Sequence, residues 1–407
     1  MAADRSARIK RRLVAVTVTV LVVALAAGAG IQWFRPLPQP SIEGLTTPIR
    51  LVGNAPVLPW PSSGEAAVTV EGVGGLGQVR ASRPVPVAGL ASVLTAYVVL
   101  RDHPLASGAV GPSIPVPPAT VAAYQAGRAL GESEVAVVAG ESLTELQALE
   151  GLLVDSGNDI ATLLADWDAG SIGAFVAKMN LAASDLRLGS THITDPSGLD
   201  AATTSTPADL IRLGEAAMSV PALRQIVEMG QATLPQAGLV YNLDFDLGLD
   251  GIVGIETGSD AAASGCYLFA AQRSIGGTDA TVIGVVLGQT GPSGPNNAAV
   301  DAGDALVRAS GSALGVHTVI PAGGVVGRLA APWGASTPVT ASAEVTVLGW
   351  PGLSVPASVH LDALAAPLPA GTAVGVLRVR QGRRVTHVVL RTSNPLSGPS
   401  AWWRLTR

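Results

Sequence analysis

Hydrophobic and polar positions alternate in four different rhythms along the chain. Leu13 to Phe34 contains no charged residue and follows Arg5, Arg8, Lys10, Arg11 and Arg12. As a helix, such a run spans a hydrocarbon core of roughly 30 Å, and basic residues before it favour a cytoplasmic start. This predicts a basic tail at 1–12, a transmembrane anchor at 13–34 and an extracytoplasmic remainder. Ala27-Gly28-Ala29 resembles a small-residue cleavage site, but the apolar run is longer than a usual signal core and reads as an uncleaved anchor. From 35 to 62, seven prolines and little apolar periodicity predict a stiff linker. From 63 to 316, strand patterns at 66–70, 252–256, 265–272 and 280–287 enclose helical patterns at 89–100, 142–153, 156–167, 171–183 and 207–218, with a further helix at 296–314. Ser142, Asp155 and Ser171 are the expected caps. The glycines from Gly72 to Gly77 are expected to end the first strand. The implied class is α/β (α+β), a sheet flanked by helices with an inserted helical cluster between about 90 and 230. After His317, short Val-rich runs at 339–347, 373–379 and 385–390 between Pro/Gly turns predict a small all-β domain to 407.

Composition narrows the function more than the fold. The net charge of −5 offers no basis for nucleic-acid binding. Cys266 is the single cysteine, so no intramolecular disulfide can form, and its apolar surroundings make it a buried strand residue rather than a reactive thiol. The histidines (His103, His192, His317, His360, His387) show no metal-ligand spacing, and neither a metal nor a cofactor is expected. Beyond the first ten residues the chain has one lysine, Lys178. The tail Trp402-Trp403-Arg404 pairs aromatic rings with a cation, a pattern suited to packing beneath the β domain or to a membrane surface.

Three stretches carry chemistry by their order and spacing. They are Pro86-Val87-Ala88-Gly89-Leu90-Ala91-Ser92, opening a helix; Ser156-Gly157-Asn158-Asp159, after an amphipathic run; and Glu256-Thr257-Gly258, on a strand. Phe175 to Asn180 and Asp195 to Asp200 support them. Together these resemble the serine D-alanyl-D-alanine carboxypeptidases, the low-molecular-weight penicillin-binding proteins, of actinobacterial type. The resemblance covers nearly all of the extracytoplasmic part and implies a β-lactamase/transpeptidase-like domain with an antiparallel sheet. In that family the three motifs read Ser-x-x-Lys, Ser-x-Asn and Lys-Thr-Gly. Here the nucleophile position is Gly89, its lysine is Ser92, and the third-motif lysine is Glu256, while Ser156, Asn158, Thr257 and Gly258 are retained.

A serine hydroxyl needs an adjacent base to attack near neutral pH, and the family places a lysine one helical turn on. Gly89 has no side chain to acylate. Glu256 would replace an ammonium by a carboxyl; two unit charges 4 Å apart interact by about 4 kcal/mol at an effective dielectric near 20, so attraction for a peptide carboxylate becomes repulsion unless Glu256 is protonated or paired. The resemblance thus implies a membrane-anchored, catalytically inactive homologue in the cell envelope, with a peptidoglycan stem peptide or an envelope protein as partner. Two alternatives stand beside it: a carboxypeptidase rearranged around Ser92, supported by Ser156 and Asn158, and an envelope interaction module in which the cleft plays no part. The backbone N–H of Ser259 corresponds to half of the family's oxyanion hole, and Lys178 is expected to face solvent outside the cleft.

Overall fold

The structure, a computed structural model, describes residues 2–45 and 47–407. The chain divides into two compact units, one comprising 53–316 with 348–352, the other comprising the N-terminal 52 residues with 317–347 and 353–407.

The first unit is built on five antiparallel strands: β1 (Glu65–Val70), β2 (Gly74–Val79), β3 (Ile252–Asp260), β4 (Ser264–Ile275) and β5 (Thr278–Gln289). Their order across the sheet is β3-β4-β5-β1-β2. β1 ends at Val70, ahead of Gly72, as its glycines suggested, and the rest of the Gly-rich segment pairs back on it as β2. A Cβ on Gly77 would lie 2.8 Å from the Trp60 ring, so glycine there makes room for the indole.

Between β2 and β3 lies the helical cluster: α1 (Ala91–Asp102), α2 (Pro118–Leu130), α3 (Glu145–Leu153), α4 (Asn158–Ala169), α5 (Ile172–Asp185), α6 (Pro207–Ser219) and α7 (Pro221–Val227). After β5, α8 (Pro295–Ala313) packs on β4 and β5. α1 is buried nearly all round, as befits a helix enclosed by α3, α4, α5, α6 and α7. Ser171 caps α5 through its hydroxyl, as expected. Ser142 is no cap: Ser142–Thr144 is a short strand paired with Ser113–Pro115, and Thr144 caps α3 in a reciprocal capping box with Gln147. Asp155 also lies outside the cap position of α4, which is Gly157. Cys266 is buried in β4, and burial pushes its thiol up to about 12.

The second unit holds a six-stranded antiparallel sheet in the order 41–43, 325–330, 336–341, 384–392, 373–381 and 357–361. The stretch read as a linker therefore contributes secondary structure here, with Ser41–Glu43 pairing with Arg328–Ala330 and Ile49–Arg50 with Ser354–Val355. Prolines flank these strands rather than interrupt them, and Ile42 packs against the core of this unit. The expected run 339–347 is split into two strands by a turn. A helix at Ala2–Phe34 includes one apolar segment, Ala7–Phe34, long enough to cross a membrane. In the tail, Trp403 meets Trp333 edge-on at 5.8 Å, whereas Trp402 is exposed.

Candidate functional site

All three motif stretches converge on one cleft of about 570 Å³ in the first unit. Gly89 sits in a single 3-10 turn (Ala88–Leu90) that leads into α1. The turn is tight: Ala88 adopts φ +45°, a left-handed conformation that costs a residue bearing a Cβ roughly 1 kcal/mol or more. The turn lies against β3, where a Cβ on Gly258 would come within 2.6 Å of the Gly89 nitrogen. Only glycine fits there, and the backbone N–H groups of turn and strand are thereby brought to one wall.

The turn is braced from the far side by the supporting stretch at 195–199. Asp195 Oδ2 accepts hydrogen bonds from the Ser197 hydroxyl (2.7 Å) and from the backbone N–H of Gly198 (2.7 Å) and Leu199 (3.1 Å), and its Oδ1 accepts from the Thr203 hydroxyl (2.5 Å). Thr95, one turn beyond Ser92 on α1, donates to the Pro196 carbonyl at 2.7 Å. A side chain on Gly198 would collide with the Ala88 carbonyl. The motif residues alone gave no sign of this bracing role for Asp195; the run Asp-Pro-Ser-Gly, an Asx-type turn sequence, was the available signal.

The cleft is lined by Gly89, Ser156, Asn158, Thr257 and Gly258, as the motif spacing implied, and also by Ser259. Ser92 does not line it: the residue is 3% exposed within the core around α1. The hydroxyl that an Ser92-based site would need is therefore packed away from the cleft. Within that lining Asn158 is tied to its neighbour, its Nδ2 donating to the Ser133 carbonyl at 2.9 Å while its backbone N–H donates to the same oxygen at 3.0 Å.

Glu256 differs most from its expectation. It points inward from β3, 3% exposed, and the Ser156 hydroxyl donates to its Oε1 at 2.7 Å. Burial holds the carboxyl well above the usual carboxylate range, opposed by the hydrogen bonds from Ser156 and the Thr257 backbone. Burial thus disfavours a charge at 256, and the carboxyl is paired with Ser156 behind the cleft instead of standing in its lining. Its Oε2 is buried and has no hydrogen-bond partner among the described residues.

Lys178 lies outside the cleft lining, as expected, but it is not a free surface charge. Its Nζ binds Asp168 Oδ2 at 2.7 Å and Asp102 Oδ2 at 2.9 Å, and these hydrogen bonds raise its pKa. Asp168 also meets His103 Nε2 at 3.0 Å, so the lysine belongs to a knot joining the ends of α1 and α4 to α5. Among the described residues, no group of three or more His, Cys, Asp or Glu is placed to hold a metal ion.

A five-stranded antiparallel sheet with a helical insertion, and a cleft at the start of a buried helix against an edge strand, define the class of serine DD-peptidase-like proteins. The sequence profile of the D-alanyl-D-alanine carboxypeptidase family matches residues 64–291, more than half of the chain, which belongs to that family. A D-alanyl-D-alanine carboxypeptidase of a Streptomyces species is 34% identical over 175 residues, covering 39% of this chain and 59% of the relative. One from Mycobacterium tuberculosis is 39% identical over 168 residues, covering 40% and 56%. The matched stretch thus spans between half and three-fifths of these relatives. Among solved structures, a Streptomyces DD-transpeptidase superposes with a TM-score of 0.55 at 27% identity, covering 63% of this chain and 99% of that one. Penicillin-binding protein 5 from Haemophilus influenzae superposes at 0.59 with 19% identity, covering 85% and 100%, a likeness of fold.

Proposed function

We propose that this chain is a catalytically silent D-alanyl-D-alanine carboxypeptidase homologue of the cell envelope, which binds a peptidoglycan stem peptide or an envelope protein in its cleft without cleaving it. In this reading residues 1–12 are cytoplasmic, 13–34 cross the membrane, and the domain at 63–316 with the β domain at 317–407 lies outside the cytoplasm. One observation carries the proposal: the residue at the head of α1, where the family attacks its substrate, is Gly89, with no atom to acylate. Removing the nucleophile of a serine hydrolase costs on the order of a millionfold in turnover. The surroundings agree, since Ser92 is buried off the cleft and Glu256 is a buried carboxyl tied to Ser156. The cleft itself is retained at a volume suited to a small ligand.

Labelled penicillin incubated with the full-length chain in detergent is expected to leave no covalent adduct by intact-protein mass spectrometry. A stable acyl adduct on the unmodified chain, or release of D-alanine from an acyl-D-Ala-D-Ala peptide, would end this reading.

A further inference from the structure

The net charge of −5 conceals a division along the chain. Residues 53–316 hold 26 carboxylates against ten cationic side chains, whereas 317–407 hold eight arginines against two carboxylates, Glu344 and Asp362. Half of those arginines sit at one end of one hairpin. Strands Ala373–Gln381 and Arg384–Thr392 pair antiparallel through a two-residue turn, whose first residue, Gly382, takes φ +56°, as a tight hairpin requires. Alternation along the strands turns Leu377, Val379 and Val388 into the core and leaves Arg378, Arg380 and His387 exposed on the outer face. Arg378 lies opposite His387 on one side and Ser358 on the other, and Arg383 and Arg384 are exposed at the turn.

None of these four arginines meets a carboxylate within ion-pair distance among the described residues, whereas the ion pairs of Arg101, Arg212, Arg273 and Arg308 all lie in the first unit. Like charges crowded on a hairpin repel, and an anion bridging them removes that cost. The kind of anion follows from position and surroundings. The membrane helix joins the opposite end of this sheet: Ser41, seven residues past Phe34, pairs with Ala330, and Arg404 and Arg407 donate to the Trp33 and Pro36 carbonyls at 3.4 and 3.2 Å. Thr392, opposite Val339, lies toward that end, and Arg384 stands at the other end of the same nine-residue strand, about 26 Å away. Exposed charges are screened over about 8–10 Å, which sets these arginines apart from headgroups around the helix. Strands 357–361, 373–381 and 384–392 also carry no Trp, Tyr, Phe or Met, the anchors on which a protein interface relies.

We propose that this hairpin end is a docking surface for a linear polymer bearing repeated phosphate groups, held beyond the lipid headgroups. Each guanidinium presents a planar fork that takes two oxygens of a phosphate. Arg378 and Arg380, on alternate positions of one strand, stand about 7 Å apart, and Arg383 and Arg384 continue the row around the turn. Such a row engages several groups of one polymer chain, where a single anion reaches one or two. The inference is independent of the cleft and of catalytic silence.

The test titrates the full-length chain, in an uncharged detergent, into fluorescently labelled long-chain inorganic polyphosphate and follows anisotropy. Arg5, Arg8, Lys10, Arg11 and Arg12 are replaced by Gln throughout, so that the basic N-terminal tail contributes nothing. On this background binding is expected to weaken at least about tenfold between about 50 and 200 mM salt. It should fall by at least about tenfold when Arg378→Gln, Arg380→Gln, Arg383→Gln and Arg384→Gln are combined. Arg383→Gln with Arg384→Gln alone, confined to the turn, should lose about threefold and serves if the fourfold variant folds poorly. The control, Arg83→Gln, Arg187→Gln and Arg224→Gln on exposed positions of the first unit, should stay within about twofold. Losses no greater than in this control overturn the inference, as does absence of binding at low salt. Hairpin-dependent binding that poly-L-glutamate displaces better than unlabelled polyphosphate at equal charge assigns the surface to an acidic protein. Hairpin-dependent capture by vesicles of equal parts phosphatidylcholine and phosphatidylglycerol, without polyphosphate binding, assigns it to lipid. Either result overturns the proposal.

Discussion

Glu145 enters the first turn of α3 with 1% of its surface exposed, and its Oε1 has no hydrogen-bond partner among the described residues. A helix N-terminus favours a carboxylate, but desolvation prevails and raises this carboxyl to about 7. Between the ordinary value near 4.5 and about 7, the folded protein keeps a proton that the unfolded chain has released. Stability contributed by this group is therefore lost as pH rises through that window. Glu145→Gln removes the penalty: the variant is expected to match the wild type near pH 4.5 and to exceed it by at least about 1 kcal/mol at pH 7.5. Thermal melts of both proteins at the two pH values check this, and a stability difference that does not change with pH contradicts it. Glu256 obeys the same physics at the site itself. Its substitution was legible in the motif, but its burial was not, because that depends on packing against elements distant in sequence, Ser156 among them.

At the scale of elements, the site is a strained turn held between β3 and the loop at 195–199. The left-handed Ala88 and the close approach of Gly258 to Gly89 persist only because neighbouring elements over-determine them. Asp195 is the keystone of that support, with donors on both carboxylate oxygens. Asp195→Ala strands several buried donors and is expected to cost about 3 kcal/mol in urea unfolding. Asp195→Asn, which keeps an acceptor, should recover part of the loss; an alanine variant of unchanged stability would remove Asp195 from this role. Elements with one strong apolar signal, the helical period of α6 and the unbroken apolar run of β4, were legible in the sequence. The unread ones had physical reasons to be obscure. In α2 few side chains are buried and Gly127 lies within the helix, while β2 is a strand half made of glycine beside an indole. The short pairings at 41–43 and 49–50 are long-range in sequence, so no local pattern announces them.

At the scale of the molecule, the first unit keeps the family's backbone arrangement while its three reactive positions read glycine, serine and glutamate. If the frame alone is competent, restoring the groups should restore the chemistry. A Cβ on Gly89 would meet the Thr257 carbonyl at 3.3 Å and the Gly258 Cα at 3.5 Å, so a serine there needs a shift of only a few tenths of an ångström. A lysine at 92 would start from a buried position on α1, one turn from the new hydroxyl, and a lysine at 256 would start beside Ser156. Each lysine depends on the other changes. Glu256→Lys alone would bury an ammonium with only Ser156 to solvate it, and Gly89→Ser alone would create a hydroxyl without a base. The three single variants are therefore expected to form no penicillin adduct, whereas Gly89→Ser, Ser92→Lys and Glu256→Lys combined should form one on residue 89, located by peptide mapping. Adduct formation by Gly89→Ser alone would mean that another group in the cleft already acts as base. A folded triple variant that stays unreactive would mean that the wall between turn and strand has itself moved away from the geometry that stabilises the oxyanion.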